Sequence, residues 1–209
     1  MKLASSSLID GQVIDGRYAF CVIDPENHVA LSHNLNPHLA WGDAPAATRS
    51  FVVVCHDPDV PSVGDDVNQE GKTVPADLPR VNFYHWLLWN IPASTTEIAE
   101  GAHSQGVVAR GKAGPDAGDG LSHGINDYTG WFAGDANMGG DYYGYDGPCP
   151  PWNDALVHRY VFTVYALDVA SLDLPVRSNG AAVLAALEGH VLDSAGITVT
   201  YSLNPAVTL

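Results

Sequence analysis

The chain has 209 residues, of which 46% are hydrophobic, and this length suits one sizeable core better than two complete domains. Its 24 acidic residues against 9 basic ones give a formal net charge of −15, which repels nucleic-acid backbones and anionic membrane surfaces. We therefore expect a single domain spanning residues 1–209, with no nucleic-acid partner.

The cysteines and the absence of long apolar runs bear on location. Cys21, Cys55 and Cys149 are odd in number and lack CxxC spacing, which argues against a disulfide framework and favours a reducing compartment. The N-terminal segment has no apolar run long enough for a signal peptide. No stretch approaches the roughly 20 apolar residues of a membrane helix. These features predict a cytoplasmic protein that is not an integral membrane protein.

Four apolar, β-branched or aromatic runs predict strands, and one apolar stripe with helical spacing predicts a helix near the C terminus. Ser178 or Asn179 would cap this helix, and Gly196 would close it. The fourth strand is apolar on both faces, which is typical of a central strand. Many strands followed by a late helix favour a mainly β (α+β) fold. The predicted strands cover residues 18–23, 50–55, 81–91, 158–167 and, after the helix at 179–191, residues 197–203.

Two long stretches rich in Gly and Asp separate the predicted strands, at about residues 62–80 and 101–145. Loops of this length in a compact domain usually form functional rims. We therefore interpret both as insertions near a site.

An acidic segment follows the second predicted strand directly. Pro58 and Pro61 disfavour helical backbone at the residues before them, so the segment should stay extended. Side chains two residues apart in an extended chain point the same way, so Asp57 and Asp59 should project from one face. A solvated acidic turn is the alternative. The bond between Val60 and Pro61 could be cis.

Two histidines lie in predicted strands. His85 shares a predicted face with apolar Phe83, Leu87 and Trp89, and a buried imidazole needs hydrogen-bond partners. His158 begins the predicted central strand after a proline-rich turn. Taken alone, each histidine could equally be structural, either satisfied in the core or exposed at a strand end.

Together, these segments resemble one family, the phosphatidylethanolamine-binding proteins, and in particular a bacterial branch similar to the mammalian Raf kinase inhibitor protein. The matching segments are DPDVP from Asp57, HWLLWNIP from His85, and YDGPCPP from Tyr145 followed by HRYVFTVYAL from His158. NLNPHLAW from Asn34 is also similar to the opening of that branch. The resemblance runs in order from about residue 35 to residue 201.

The resemblance implies a large antiparallel sheet packed on a smaller sheet, with peripheral helices and a pocket at one end of the large sheet. It also implies that a cis peptide bond precedes Pro61. The pocket residues that it implies are Asp57, Asp59, His85, Tyr145, Pro148, His158 and Tyr160.

These residues predict a site for a small anion, such as phosphate, a phosphorylated metabolite or a phospholipid headgroup. A carboxylate that accepts from one imidazole nitrogen leaves the other nitrogen free to donate toward a ligand oxygen. His85 and His158 would then hold the anion together with backbone N–H groups. We expect no cofactor and no metal.

Other functions stay open from the sequence. Paired carboxylates and histidines could carry out acid–base chemistry in a hydrolase or isomerase, although GxSxG, HExxH, Walker A and dinucleotide motifs are absent. Two Asp and two His could also bind zinc or manganese. The resemblance further implies a protein-interaction or kinase-inhibitor-like regulator. A homodimer could form through the insertion that contains Trp131, Phe132 and Tyr142.

Overall fold

The computed structural model describes residues 1–208 and consists mainly of β-strands. The strands are β1 (Lys2–Ala4), β2 (Cys21–Asp24), β3 (His28–Leu31), β4 (Leu39–Gly42), β5 (Ser50–Pro61), β6 (Arg80–Pro92), β7 (Glu97–Ile98), β8 (Ser122–His123), β9 (His158–Leu167) and β10 (Val191–Tyr201). A 3₁₀ turn spans Gly16–Tyr18, and the helices are α1 (Tyr128–Trp131) and α2 (Gly180–Leu187).

The four longest strands and the short β8 form a five-stranded antiparallel sheet in the order β10, β9, β5, β6, β8. β1, β4 and β7 form a smaller antiparallel sheet, and β2 and β3 form a hairpin. β5, β6 and β9 are rich in β-branched and aromatic residues, which pack well on a pleated surface. The predicted mainly β fold with a large antiparallel sheet is confirmed, and β9 lies inside that sheet as expected.

The large sheet buries side chains on both faces. On one face, Trp86 and Phe162 join the main core, which also takes in Leu39 of the smaller sheet. On the other face, Leu87 packs in a second cluster with Leu187 of α2. This two-sided burial makes the sheet a rigid platform for the side chains at its end.

A β-bulge in β6 decides which side chains share a face with His85. Tyr84 and Trp86 pair with consecutive residues of β5, so that His85 is the extra residue. His85 and Trp86 consequently lie on the main-core side, whereas Leu87 and Trp89 belong to the cluster beneath α2. The prediction that Leu87 and Trp89 share the face of His85 is wrong, because strict alternation assumes an unbroken ladder.

The C-terminal helix is shorter than the apolar pattern predicts. α2 ends at Leu187, and Gly189 then takes a positive φ of 80°, which a glycine adopts without strain. β10 already begins at Val191 rather than at Ile197, and Gly196 lies within it. Although the apolar residues after Leu187 have helical spacing, the chain from Val191 onward forms a strand that pairs with β9.

Asn179 provides the N-cap of α2, as the sequence predicts. Its side-chain oxygen accepts a hydrogen bond from the backbone N–H of Ala182 over 3.1 Å. We expect Asn179→Ala to lower the free energy of unfolding by about 1 kcal/mol, because a free N–H is left at the helix start. Urea denaturation measures this change. Asn137→Ala, on an exposed loop, is the control and should stay within about 0.5 kcal/mol of wild type.

The cis peptide bond does not fall where the resemblance places it. Within residues 1–208 the cis bond joins Gly114 to Pro115, and the bond between Val60 and Pro61 is trans. Pro61 is the last residue of β5 and pairs with Arg80 of β6. The acidic segment before it is therefore extended, as predicted, without a cis bond.

The cysteine prediction is also wrong. Cys21 and Cys149 form a disulfide across 128 residues of sequence, and Cys55 is a buried free thiol. Sequence spacing missed the pair because the two cysteines meet only after Cys21 at the start of β2 packs against the proline-rich segment that contains Cys149. The cytoplasmic location stays a prediction, but the cysteines no longer support it.

None of the helices found between residues 1 and 208 combines the length and the apolar character needed to cross a lipid bilayer.

Candidate functional site

A cavity of about 470 Å³ lies on the main-core side of the large sheet, at the end where β5 leaves it. Strand β5 contributes Asp57, β6 contributes His85, and β9 contributes His158 and Tyr160 to its lining. These four residues come from three neighbouring strands, so the sheet itself sets their separation. Most of the other lining residues are apolar: Phe20, Val29, Leu31, Val60, Val63, Val67, Phe83, Trp131, Phe132 and Met138.

Both insertions contribute to the wall of this cavity. Val67 comes from the first insertion, and Phe132 comes from the second. The first insertion is held by Asn153, whose side-chain amide donates to backbone carbonyls of Asp66, Gln69 and Lys72. The mouth of the cavity is thus built largely from the two stretches that the sequence marks as rims.

The dimer contact predicted from the second insertion does not hold for every residue named. Tyr142 is fully buried, and its hydroxyl donates to the carbonyl of Met138 over 2.7 Å. Phe132 is partly buried in the main core, whereas Trp131 is 54% exposed. A homodimer stays a prediction, and Tyr142 is not available to form it.

His158 is the most strongly held side chain at the floor of the cavity. Its Nδ1 donates to Asp57 Oδ2 over 2.7 Å, and its Nε2 donates to Asp154 Oδ2 over 3.1 Å. Burial alone would lower the pKa of His158, but the hydrogen bonds with Asp154 and Asp57 outweigh it and raise its pKa to about 9. His158 is therefore an imidazolium at neutral pH, with both nitrogens already engaged.

Asp154 extends this network to Arg80. The Arg80 guanidinium donates from Nη1 and Nη2 to the two carboxylate oxygens of Asp154, over 2.6 and 3.0 Å. Sequence reasoning did not identify either residue. Arg80 lies at the end of a long loop, and only the fold brings it to Asp154; the sole local signal is that Asp154 precedes His158 by four residues.

Asp59 does not line the cavity. Its carboxylate accepts from the backbone N–H, Nε and Nη2 of Arg159, with distances of 2.7 to 2.9 Å. Burial would raise the pKa of Asp59, but the bonds with Arg159 lower it. A second bulge, between Asp57 and Val60, breaks the alternation that predicted a shared face for the two aspartates.

Tyr145 and Pro148, which were also predicted as pocket residues, do not line the cavity but lie behind its wall. The Tyr145 hydroxyl donates to the carbonyl of Tyr18 over 2.7 Å, and the ring is fully buried in the main core. The carbonyl of Pro148 accepts from the backbone N–H groups of Phe20 and Cys21. Both residues tie the wall to the N-terminal region, and their contact with a ligand stays a prediction.

His85 has the opposite electrostatic character to His158. Its Nδ1 lies 2.7 Å from the backbone carbonyl of Asp146, and because a carbonyl only accepts, Nδ1 carries the proton. Burial lowers the pKa of His85 to about 4, so the ring is neutral at physiological pH. Its Nε2 is buried without a hydrogen-bond partner and therefore presents a lone pair.

The carbonyl partner of His85 belongs to a fixed residue. The carboxylate of Asp146 is fully buried and accepts from Lys112 Nζ over 2.6 Å, from Asn34 over 2.7 Å and from Asn126 over 2.8 Å. These bonds hold the backbone of Asp146 in place, and with it the orientation of the His85 ring. None of these supporting residues was identified as part of the site from the sequence.

The Tyr160 hydroxyl is the second unpartnered polar atom of the site. It is buried and makes no hydrogen bond of acceptable geometry, although the carboxylate of Asp57 lies nearby; burial, and next the charge of Asp57, raise the pKa of its phenol well above the ordinary value. The hydroxyl is therefore protonated and can donate as well as accept. The rings of Tyr160 and His85 meet edge to face with centroids 5.2 Å apart.

The predicted way of holding an anion needs correction on one point. We expected a free nitrogen on each histidine to donate toward a ligand oxygen. His158 has no free nitrogen, because Asp57 and Asp154 take both N–H groups. His85 has a free nitrogen, but it is an acceptor in the neutral ring.

The family model for phosphatidylethanolamine-binding protein matches residues 4–202 of this chain. The chain belongs to the phosphatidylethanolamine-binding protein family. The resemblance drawn from the sequence motifs is thereby confirmed. This family membership covers nearly the whole chain, including all the residues that line the cavity.

Proteins of other organisms are similar to this chain over most of its length. The protein YbhB of Escherichia coli strain K12 is 34% identical over 202 residues, which cover 97% of this chain and all of the relative. A protein of Methanothermobacter thermautotrophicus is 33% identical and covers 85% of this chain and 89% of its own length. The resemblance to a bacterial branch therefore extends to an archaeal relative.

Crystal structures of family members share the fold. Escherichia coli YbcL, described as a new member of the mammalian family, has a TM-score of 0.68 and 26% identity, covering 96% of this chain and 97% of its own. A homologue from Chlamydia trachomatis has a TM-score of 0.62 and 25% identity, covering 96% of each chain. The arrangement of a large antiparallel sheet is thus common to these proteins.

Proposed function

We propose that this chain is a binding protein for a small anionic ligand, namely a phosphate monoester whose organic group is apolar. Phosphorylated metabolites with an apolar organic group belong to this class, whereas a diester headgroup lacks the P–OH that His85 Nε2 needs. The observation that supports the proposal is the pair of unpartnered buried atoms, His85 Nε2 and Tyr160 Oη, at the floor of a cavity with apolar walls.

The two unpartnered atoms require two complementary hydrogen-bonding groups on one ligand, a donor and an acceptor. A buried polar group without a partner costs about 1–3 kcal/mol, so a ligand that pairs both atoms recovers that free energy on binding. The lone pair of His85 needs an O–H donor, and the Tyr160 hydroxyl can donate to an oxygen. A hydrogen phosphate group carries a P–OH and unprotonated oxygens side by side, and it satisfies both atoms.

The charges around the cavity floor are compatible with an anion. Asp57 pairs with the imidazolium of His158, and Asp59 pairs with Arg159. Asp154 pairs with Arg80 as well as with His158. Each carboxylate near the floor therefore has a cation of its own, and the acids do not present free negative charge to the ligand.

The apolar walls favour an organic group on the phosphate. Phe83, Phe132 and Met138 border the cavity, and removing apolar surface from water stabilises a complex by about 25 cal/mol per Å². The name of the family describes binding of a phospholipid, phosphatidylethanolamine, and a phospholipid headgroup contains a phosphate ester. That name supports a phosphate ester with an apolar group as the ligand; phosphatidylethanolamine itself is a diester and lies outside the monoester class proposed for this chain.

Calorimetric titration with phenyl phosphate and with inorganic phosphate tests the proposal. We expect phenyl phosphate to bind more tightly, because its ring contacts the apolar walls.

Tyr160→Phe should weaken binding about tenfold, which corresponds to one hydrogen bond of about 1.4 kcal/mol. His85→Ala and the His85→Ala, His158→Ala double variant should weaken it further. His190→Ala, whose exposed ring lies outside the cavity, should leave affinity unchanged. Equal affinity for wild type and His85→Ala would contradict the proposal.

An acid–base enzyme is the second candidate, because the free lone pair of neutral His85 could accept a proton from a bound molecule. Release of inorganic phosphate from phenyl phosphate during the same titrations would favour this candidate. A constant concentration of ester over many hours would favour binding alone.

A further inference from the structure

The disulfide between Cys21 and Cys149 is part of the cavity wall. Cys21 is the first residue of β2, and Cys149 lies in the segment 148–151, which we call the proline segment. Both cysteines line the cavity, as do Pro150 and Pro151. The bond therefore joins two parts of the wall that are far apart in sequence.

Apart from the disulfide, the proline segment is held by its carbonyls: that of Pro148 accepts from the backbone N–H groups of Phe20 and Cys21, and that of Pro151 accepts from the backbone N–H of Asp154. Pro150 and Pro151 lack a backbone N–H group, so this stretch can donate few hydrogen bonds. On its N-terminal side the chain is well held, because Gly147 donates to Asn34 and Tyr128 donates to the carbonyl of Gly147. The disulfide adds a covalent anchor at Cys149, next to the hydrogen-bonded carbonyl of Pro148.

The segment is also adjacent in sequence to the group that orients His85. Asp146 supplies the carbonyl that accepts from His85 Nδ1, and only two residues separate it from Cys149. Loosening the segment thus affects both the shape of the wall and the backbone that orients the unpartnered lone pair of His85.

Of the three cysteines, Cys149 is the one that is not buried, whereas its disulfide partner Cys21 is 4% exposed. Cys149 is only partly buried, and the cavity that it borders opens to solvent. Cys55 is 1% exposed, and burial raises the pKa of its thiol well above the ordinary value, which makes it inert in exchange. The chain therefore contains a candidate redox site and an internal control.

We propose that Cys21 and Cys149 form a thiol–disulfide exchange site that controls the cavity, with the oxidised protein competent to bind and the reduced protein impaired. The inference rests on the proposed binding function and adds its regulation. A dithiol is the co-reactant: one thiolate attacks a sulfur of the disulfide to give a mixed disulfide, and its second thiol resolves that intermediate. Two electrons and two protons pass to Cys21 and Cys149, and the dithiol leaves as a disulfide.

Two measurements on the full chain, before and after incubation with a dithiol, test the inference. The first is amide hydrogen exchange at residues 18–22 and 145–154, which requires no ligand. We expect exchange there to become at least tenfold faster on reduction, while the central strands stay protected. The second is the affinity for phenyl phosphate, which we expect to fall at least tenfold. Cys21→Ser with Cys149→Ser should reproduce both effects, and Cys55→Ala should still respond to the dithiol.

The outcomes separate this inference from the proposed function. Binding that is equal in the oxidised and reduced protein overturns the redox control and leaves the proposed function standing. An absence of binding in both states overturns the proposed function. In that case unchanged amide exchange on reduction overturns the redox site too, whereas faster exchange confined to the two segments supports redox opening of the wall.

Discussion

Asp57→Ala is expected to lower the free energy of unfolding by about 3–5 kcal/mol. The variant leaves the imidazolium of His158 with one carboxylate instead of two, in a position where His158 is fully buried. It also removes the acceptor for the backbone N–H of Asp59. Urea denaturation at pH 7 measures the change. Asp43→Ala breaks an exposed ion pair with Lys2 and is the control, for which we expect only a small change.

The pH dependence of stability gives an independent check on the same network. The pKa of His158 is raised from 6.5 to about 9, so its stabilising contribution is complete below pH 6.5 and is lost as the pH rises to 9. The pKa values of His85 and His123 are lowered by burial to about 4 and 3, so stability also falls as the pH drops below 6.5. Asp57→Ala should flatten the alkaline side of this profile, because His158 loses one of the two carboxylates that raise its pKa. An alkaline side that is equally steep in the variant would contradict the assignment.

The affinity for phenyl phosphate is expected to rise about 50-fold between pH 8 and pH 6. At pH 8 the free ester is a dianion and His85 is neutral, yet the complex needs one proton between them, so each pH unit changes affinity about tenfold. The second pKa of a phosphate monoester lies at about 6, below which the free ligand already carries that proton. Affinity should therefore level off between pH 6 and the pKa of His85, about 4.

Phenyl sulfate is the matched probe for this prediction. It has the same charge as the monoprotonated ester but no proton to give, so it binds only when His85 is itself protonated. Its affinity should continue to rise below pH 6, toward the pKa of His85. Calorimetry in buffers of different ionisation enthalpy should show uptake of about one proton at pH 7.5 when phenyl phosphate binds. Affinity for phenyl phosphate that is constant from pH 8 to pH 6 would exclude His85 Nε2 as the acceptor.

The disulfide makes the cavity of this chain sensitive to the redox state of its surroundings. A protein whose cavity wall depends on Cys21 and Cys149 responds to the redox state of its compartment, whatever that compartment is. The three cysteines of the sequence could not reveal this, because pairing depends on where β2 and the proline segment meet and not on spacing along the chain.

The sequence by itself determined the family, the strands β5, β6 and β9, and the four residues that line the cavity floor, Asp57, His85, His158 and Tyr160. Strand periodicity located the strands, and the resemblance of the local motifs to the family implied the four residues, because both are properties of consecutive residues. Only the tertiary structure decided what each of those groups can do. Two bulges set the faces of His85 and Asp59, and Asp154 takes the nitrogen of His158 that the sequence left for a ligand. Protonation and hydrogen-bond roles depend on burial and on partners far away in sequence, and the chain acquires both only when it folds.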